Sequence, residues 1–508
     1  MTAGPVSGGV GRPTFGGWVR PRSPGLGPLG LLPTVVVFAG LVVGLLTFML
    51  AGLVPGLVVL AAAAAAAGVT VAPSGDRPVG ALVAARVGWW RTRARREHQY
   101  RAGALAAAGS SSGDGGHPLP GVLAATVALP GGDGYGAAFV VLFHRPSRLY
   151  TVVLRCRADG DSLADVDTVE TLVAGWGAAL AGFGHEPGLA GVTVVVDTAP
   201  DPGTRLAAEV NGRAAADSPA VARAVMAEIV AAFPSTSSEN TAYVAVTWTA
   251  DGIARRARRP ADVVVEVGRR VPGLIAALTA AGGGTVEALT EAELAEVLRV
   301  AYDPACALTL ARARIDAPAG TGLSLAECGP QAAQESWGGY RHDSGRSVSW
   351  LMTRPPHGVV HSDVLHTLLE AHPGFARKRV ALLYRPHSPA RASSIAEADV
   401  ATAAFGAAGV HGRTTAVSRT RVRATERAEE EVAAGAGMTR FALAVTVTIA
   451  PGADVDQATT AVENLAANAR LRLRRADGAH AAAFATTLPV GFLPWLHTAV
   501  PDTVRDLL

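Results

Sequence analysis

Apolar positions fall into two regimes along the chain, one continuous and one alternating. From Ser23 to Gly75 no side chain is ionisable, and a bilayer core takes about twenty apolar residues per helix, so the stretch predicts two spans rather than one. They are placed near Pro33–Leu50 and Leu53–Ala72, with Ala51–Gly52 and Pro55 at the turn. A cleaved signal peptide fits poorly, because the stretch is too long, starts too late and has no basic segment directly against a short apolar one.

After residue 120 the pattern changes to strands alternating with helices. A hairpin (Val122–Leu129, Gly136–Phe143) and a strand (Tyr150–Arg157) lead to a helix at Ala164–Ala181, with Val166, Val169, Leu172, Val173 and Trp176 at helical spacing. Then follow a strand Val192–Asp197, helical material over Pro202–Phe233, a strand Tyr243–Thr249, a helix Asp262–Ala281 and a strand Thr285–Leu289. The next helix opens on the capping box Thr290-x-x-Glu293. A second series has strands Ser347–Thr353, Arg379–Tyr384, Arg440–Ile449 and Arg470–Arg474, and helices His361–Glu370, Asp454–Asn468 and His480–Thr487. A long helical insert spans Pro389–Ala434. The repeated order predicts an α+β chain: a two-helix transmembrane hairpin, then two tandem ferredoxin-like (split βαβ) domains with helical insertions. A single doubly wound sheet is the rival. The boundaries are a tail over 1–28, the hairpin over 29–75, a basic juxtamembrane segment and linker over 76–120, a first α/β domain over 121–305, a connector over 306–332 and a second domain over 333–508.

Charge sets the expected orientation. Arg12, Arg20 and Arg22 precede the spans, and Arg86, Arg91, Arg93, Arg95, Arg96 and Arg101 follow them, so both flanks and both termini are expected in the cytoplasm, with the protein in the cell membrane. Arg86, Trp89, Trp90, Arg91, Arg93, Arg95 and Arg96 are the candidate contacts to lipid headgroups. The net charge of +3 gives no argument for nucleic acid. Three separated cysteines suggest neither a disulfide framework nor a zinc ribbon.

The search for chemistry mostly excludes. Lys378 is the sole lysine and follows no GxxxxGK[ST] loop, which rules out a Walker-type ATPase. GSSSG at Gly109–Gly113 matches a nucleophile elbow but lies in a Gly/Ser linker. Gly131–Asp133 hints at nucleotide cyclases and reads better as a hairpin turn. His342, His357, His361, His366 and His372 cluster in sequence, and the i,i+4 pair His357/His361 has metal-ligand spacing, yet no Cys or carboxylate shell accompanies it. No catalytic residue, cofactor or metal is expected. Arg255, Arg256, Arg258 and Arg259, and the group Arg413, Arg419, Arg421, Arg423 and Arg427, lack interleaved aromatics for base stacking.

WVRPRSPGLGPLGLL, RPADVVVEVGRRVPGL, LTEAELAEVLRVAYDP, GPQAAQESWGGYRHDSGRSVSW and RKRVALLYRPHSPA together resemble a family of actinobacterial integral membrane proteins of conjugation-like, type IV-related secretion loci. The soluble part is also similar in plan to the non-catalytic N-terminal domain of conjugation ATPases, around Trp176 and the strand VTVVVDT, without the ATPase domain that would follow. The resemblance implies a non-enzymatic membrane scaffold that docks a separate ATPase and other membrane components, and it allows a homo-oligomer. The E-type membrane component of type VII secretion and a membrane-bound enzyme with a site of its own are the alternatives. Trp337, Tyr340, Arg341 and His342 are the candidate partner contacts, two large aromatics beside an arginine.

Overall fold

The computed structural model describes residues 13–16, 18, 31–71, 73–74, 77–103, 116–158, 164–201, 203–215, 217–232, 238–253, 259–317, 320–356, 358–408 and 416–497. GSSSG, Arg12, Arg20, Arg22, Arg255, Arg256, Arg258, His357 and Arg413 lie outside them. The chain divides into two compact units, one of Val19–His98 with Pro494–Leu508, the other of the segment up to Trp18 with Gln99–Leu493.

In the first unit, α1 (Leu31–Ala51) and α2 (Leu53–Val71) form a helical hairpin and α3 (Val79–Ala94) follows. Small residues bring α1 and α2 together: a Cβ on Gly40 would lie 2.1 Å from that of Ala63, and one on Gly56 2.8 Å from that of Phe48. Gly52, with φ +93°, makes the turn. Outward-facing Phe38, Leu41, Leu45 and Leu57 are exposed. Among the described residues no helix is long and apolar enough to cross a membrane. This finding overturns the expected transmembrane hairpin and the expected placement in the cell membrane with both termini cytoplasmic. Arg86, Trp89, Trp90, Arg91 and Arg93 ride on α3, and Arg95 and Arg96 on the turn after it. Trp90 is 70% exposed, whereas Trp89 packs edge-on against His98 at 6.0 Å.

The second unit is α+β, built on a large antiparallel sheet. Its strands are β1 (Gln99–Arg101), β2 (Thr126–Gly132), β3 (Ala138–His144), β4 (Leu149–Arg157), β5 (Leu189–Pro200), β6 (Ser238–Thr249), β7 (Thr285–Ala288), β8 (Ala332–Ser336), β9 (Gly339–His342), β10 (Gly345–Arg354), β11 (Arg377–Pro386), β12 (Thr439–Ile449) and β13 (Arg472–Arg475). The order is β1-β8-β9-β10-β12-β11-β5-β6-β4-β3-β2, with β7 beside β4 and β13 beside β10.

Two stretches of chain repeat one topology. The first runs β4, α4 (Val166–Phe183), β5, α5 (Thr204–Arg213) and α6 (Ala220–Ala232), β6, α7 (Pro260–Gly268) and α8 (Val271–Leu278), then β7. The order α9 (Glu291–Tyr302), α10 (Ala307–Asp316), β8 and β9 follows. The second repeat runs β10, α11 (His366–Leu369), β11, α12 (Pro389–Ala408) and α13 (Ala416–Ala433), β12, α14 (Val455–Asn468), then β13, and α15 (His480–Thr486) comes last. Numbered within each repeat, the strands lie in the order 4-1-3-2. The two repeats share one sheet, because β5 and β11 pair antiparallel from Lys378↔Thr198 to Tyr384↔Val192.

Period-two alternation sorts the side chains. Val192, Val194, Val244, Val246, Leu382, Leu443 and Val445 face one side, where α4, α7 and α8 close one apolar core and α11 and α14 the other. The opposite face of the central strands carries Thr151, Thr193, Thr247, Ser347, Ser349, Thr446 and Thr448, yet all of these are buried. Helix α15 and the run Thr487–Leu493 cover part of that polar face: Thr487 donates to Thr446 at 2.9 Å, and Thr247 donates to the Gly491 carbonyl at 3.4 Å.

Candidate docking groove

An apolar groove of about 380 Å³ lies on the helix-covered side. One wall is the stripe Val169, Leu172, Val173 and Trp176 of α4, whose i, i+3, i+4, i+7 spacing puts all four on one helical face. Strands β11 and β12 supply Leu382, Tyr384, Phe441 and Leu443 as floor, and the segment Val360–Leu365 ahead of α11 forms the far wall. Ser362 donates to Glu170 at 2.9 Å and ties that wall to α4. Trp176 meets Tyr384 edge-on at 5.7 Å.

The chain's own N-terminal segment enters the same groove. Phe15 and Val360 exchange two backbone hydrogen bonds of 2.8 Å, Phe15 is buried, and Trp18 packs against Phe441 with ring centroids 6.4 Å apart. The α4 stripe is legible in the sequence. Phe15 and Trp18 are not, since both sit in a Gly/Pro-rich tail; their signal is two aromatics three residues apart among small residues. His361 and Tyr384 are titratable groups in the lining, and His361 Nδ1 lies 3.3 Å from the Pro13 carbonyl.

The SWGGYRH segment goes elsewhere. Tyr340 and His342 are interior, packed on Phe484 at 5.3 and 4.9 Å. Arg341 is exposed, and half-buried Trp337 lies over Gly478. Of the four, Arg341 and part of Trp337 are open to solvent. His342 Nδ1 is 2.5 Å from the Tyr302 carbonyl and its Nε2 is 2.7 Å from Ser347 Oγ. The carbonyl only accepts, so Nδ1 donates and Nε2 accepts the Ser347 proton. That pairing has the form of a nucleophile and its base, but both residues are fully buried and no carboxylate orients the ring. Burial pushes the His342 pKa down to about 4, too low for a base that works near neutrality.

The depressed pKa carries a stability consequence. His342 stays neutral when folded and protonates near 6.5 when unfolded, so its contribution is present above pH 6.5 and is lost as pH falls toward 4. The shift corresponds to about 3 kcal/mol. Urea unfolding at pH 7 and pH 4.5 is expected to show much of that loss in the wild type and markedly less in His342→Gln; parallel losses in both would locate the acid sensitivity elsewhere.

Other reactive types are muted. Cys156, Cys306 and Cys328 are free thiols that burial raises to about 11, 11 and 12, which suppresses the nucleophilic thiolate. Lys378 is buried and its ammonium donates to the Glu370 carbonyl. His366 sits 3.4 Å from Glu370 and His372 stacks on Phe375 at 4.3 Å. Among the described residues no group of three or more His, Cys, Asp or Glu is placed to hold a metal. A second, more open cavity of about 520 Å³ carries His117, Arg299, Cys306 and Glu327. There Arg299 is spent on Asp303 and Asp343, at 2.9 and 2.8 Å.

Compared with known proteins, no curated protein matches the chain. Residues 22–75, which contain α1 and α2, match DUF8461, a domain of unknown function.

Proposed function

We propose that this chain is a non-enzymatic docking scaffold whose groove between α4 and Val360–Leu365 receives an aromatic or aliphatic segment of a partner protein. The observation that carries the reading is the groove's chemistry: an apolar cleft whose titratable side chains are His361 and Tyr384, into which the chain already folds Phe15 and Trp18. Interfaces draw their energy from large side chains buried in such clefts, whereas catalysis needs convergent titratable groups. The motif resemblance makes an ATPase of a conjugation or type IV-like secretion apparatus the partner to test first.

The test uses the tagged full-length chain as bait. A P-loop ATPase is expected to co-purify with the wild type and to fall at least tenfold, about 1.4 kcal/mol, with Leu172→Glu at an unchanged melting temperature. Leu172 lines the groove and is 38% exposed, so a charge there blocks an apolar ligand without breaking the core. Equal recovery with both baits, or no ATPase with either, would overturn the reading.

A further inference from the structure

The N-terminal segment in the groove is held lightly. Phe15 and Val360 form an isolated antiparallel bridge, with no ladder continuing from it among the described residues. Beyond that bridge the contacts are the buried Phe15 ring, half-buried Trp18 against Phe441, and His361 Nδ1 donating to the Pro13 carbonyl. Burial of two rings and one pair of backbone hydrogen bonds favour the seated segment. Ordering its backbone opposes them with a cost of similar size. The segment is not a strand of the sheet, so it can leave the groove without unfolding the core.

It also fills the groove incompletely. Phe15 and Trp18 stand in the lining of a cavity that still measures about 380 Å³, shared with Leu172, Trp176, Leu382 and Leu471. A ligand that makes the same backbone contact and puts larger apolar side chains into that space buries more surface than the segment does. The backbone contact itself is close. A Cβ on Gly16 would lie 3.0 Å from the Gly358 carbonyl oxygen, so a glycine beside Phe15 is what lets the two chains meet.

We infer that this segment is a strap that competes in cis with the partner for the groove. The partner's own segment is extended, pairs with Val360 in the strap's stead, and carries two large apolar side chains three residues apart. The inference rests on the docking reading above. Pairing with free backbone groups gives such a segment affinity, and side chains seated in pockets give it selectivity. Both backbone groups of Val360 are taken by Phe15, so the strap must open first. Because the strap is tethered, even weak contacts hold off a ligand that is free in solution.

The experiment is fluorescence anisotropy on the full-length protein with a labelled peptide GRPTFGGWVR, the sequence of residues 11–20. Phe15→Ser/Trp18→Ser is expected to bind it about tenfold more tightly than the wild type, the gain from releasing a groove kept closed about nine-tenths of the time. Leu172→Glu added to that variant is expected to abolish the binding. As bait, the strap variant is expected to recover several times more P-loop ATPase than the wild type. Equal peptide affinity in both proteins, no binding in either, or binding that survives Leu172→Glu would overturn the strap, whatever the baits recover. Unchanged ATPase recovery would overturn its competition with the partner. Tighter peptide binding with no ATPase from any bait supports the strap and refutes the ATPase reading instead. Should the double variant not fold, Gly16→Val keeps both aromatics, sets its Cβ against the Gly358 carbonyl and is expected to give a gain of the same sign; no gain there counts against the strap.

Discussion

Asp197→Ala is expected to lower the unfolding free energy by about 3–5 kcal/mol, the cost of leaving a buried ion-pair partner uncompensated. The Asp197 side chain is 4% exposed and that of Arg377 15%, and their 2.6 Å contact crosses the β5–β11 seam where the two repeats join. Removing it strands Arg377 and takes the nearest negative charge from Arg379 at the same time. The pairing also predicts a sign that simple weakening does not: Asp197→Ala with Arg377→Met is expected to be more stable than Asp197→Ala alone, because an apolar pair of similar volume avoids the desolvation cost. Urea denaturation of the wild type, both single variants and the double variant measures this directly. Additive losses would mean that the two side chains do not act as a pair.

The seam also shows what alternation reveals and what it hides. Strands Val192–Asp197, Tyr243–Thr249 and Ser347–Thr353 are legible because Val, Trp and Met recur at every second position, and the structure extends each by a few residues, to Leu189–Pro200, Ser238–Thr249 and Gly345–Arg354. The same alternation misleads about environment. Thr193, Ser349 and Thr446 look like the wet side of a half-exposed sheet, yet the structure buries them. Hydrogen bonds such as Ser349–Thr446 and Thr151–Thr247 make that burial tolerable, and no single-strand pattern encodes a cross-strand partner a hundred residues away.

Helices fared unevenly for local reasons. The expected helix Asp262–Ala281 is broken after Gly268, where Pro272 begins a new one. Of His361–Glu370, only His366–Leu369 is an α-helix; the residues before it form turns and line the groove. The hairpin Ala332–Ser336/Gly339–His342 was not read as strands, because its polar and glycine-rich sequence carries little apolar alternation. The groove itself was half visible. Its α4 wall follows from helical spacing, while its plug from Phe15 and Trp18 depends on a contact more than three hundred residues away in sequence.

Gly491→Val is expected to destabilise the fold by about 4 kcal/mol, from a left-handed backbone, overpacking and a lost hydrogen bond together. Gly491 has φ +66°, a conformation that β-branched residues strongly resist. A Cβ there would lie 2.3 Å from Thr247 Oγ1 and 2.5 Å from Thr151 Cγ2. Those two threonines hydrogen-bond each other at 2.9 Å on the polar face, so the new side chain must either part them or lift the run Thr487–Leu493 off the sheet. Leu488 and Leu493 are fully buried within that run, and lifting it exposes them together with the polar layer. The loss should therefore appear as cooperative destabilisation with increased amide exchange across β4 and β6, not as fraying confined to the C-terminal run. Gly491→Ala is expected to lose less, because its Cβ meets the same threonines but carries no branches. If Gly491→Val unfolds at the wild-type urea midpoint, the C-terminal run is not a packed cover of the sheet.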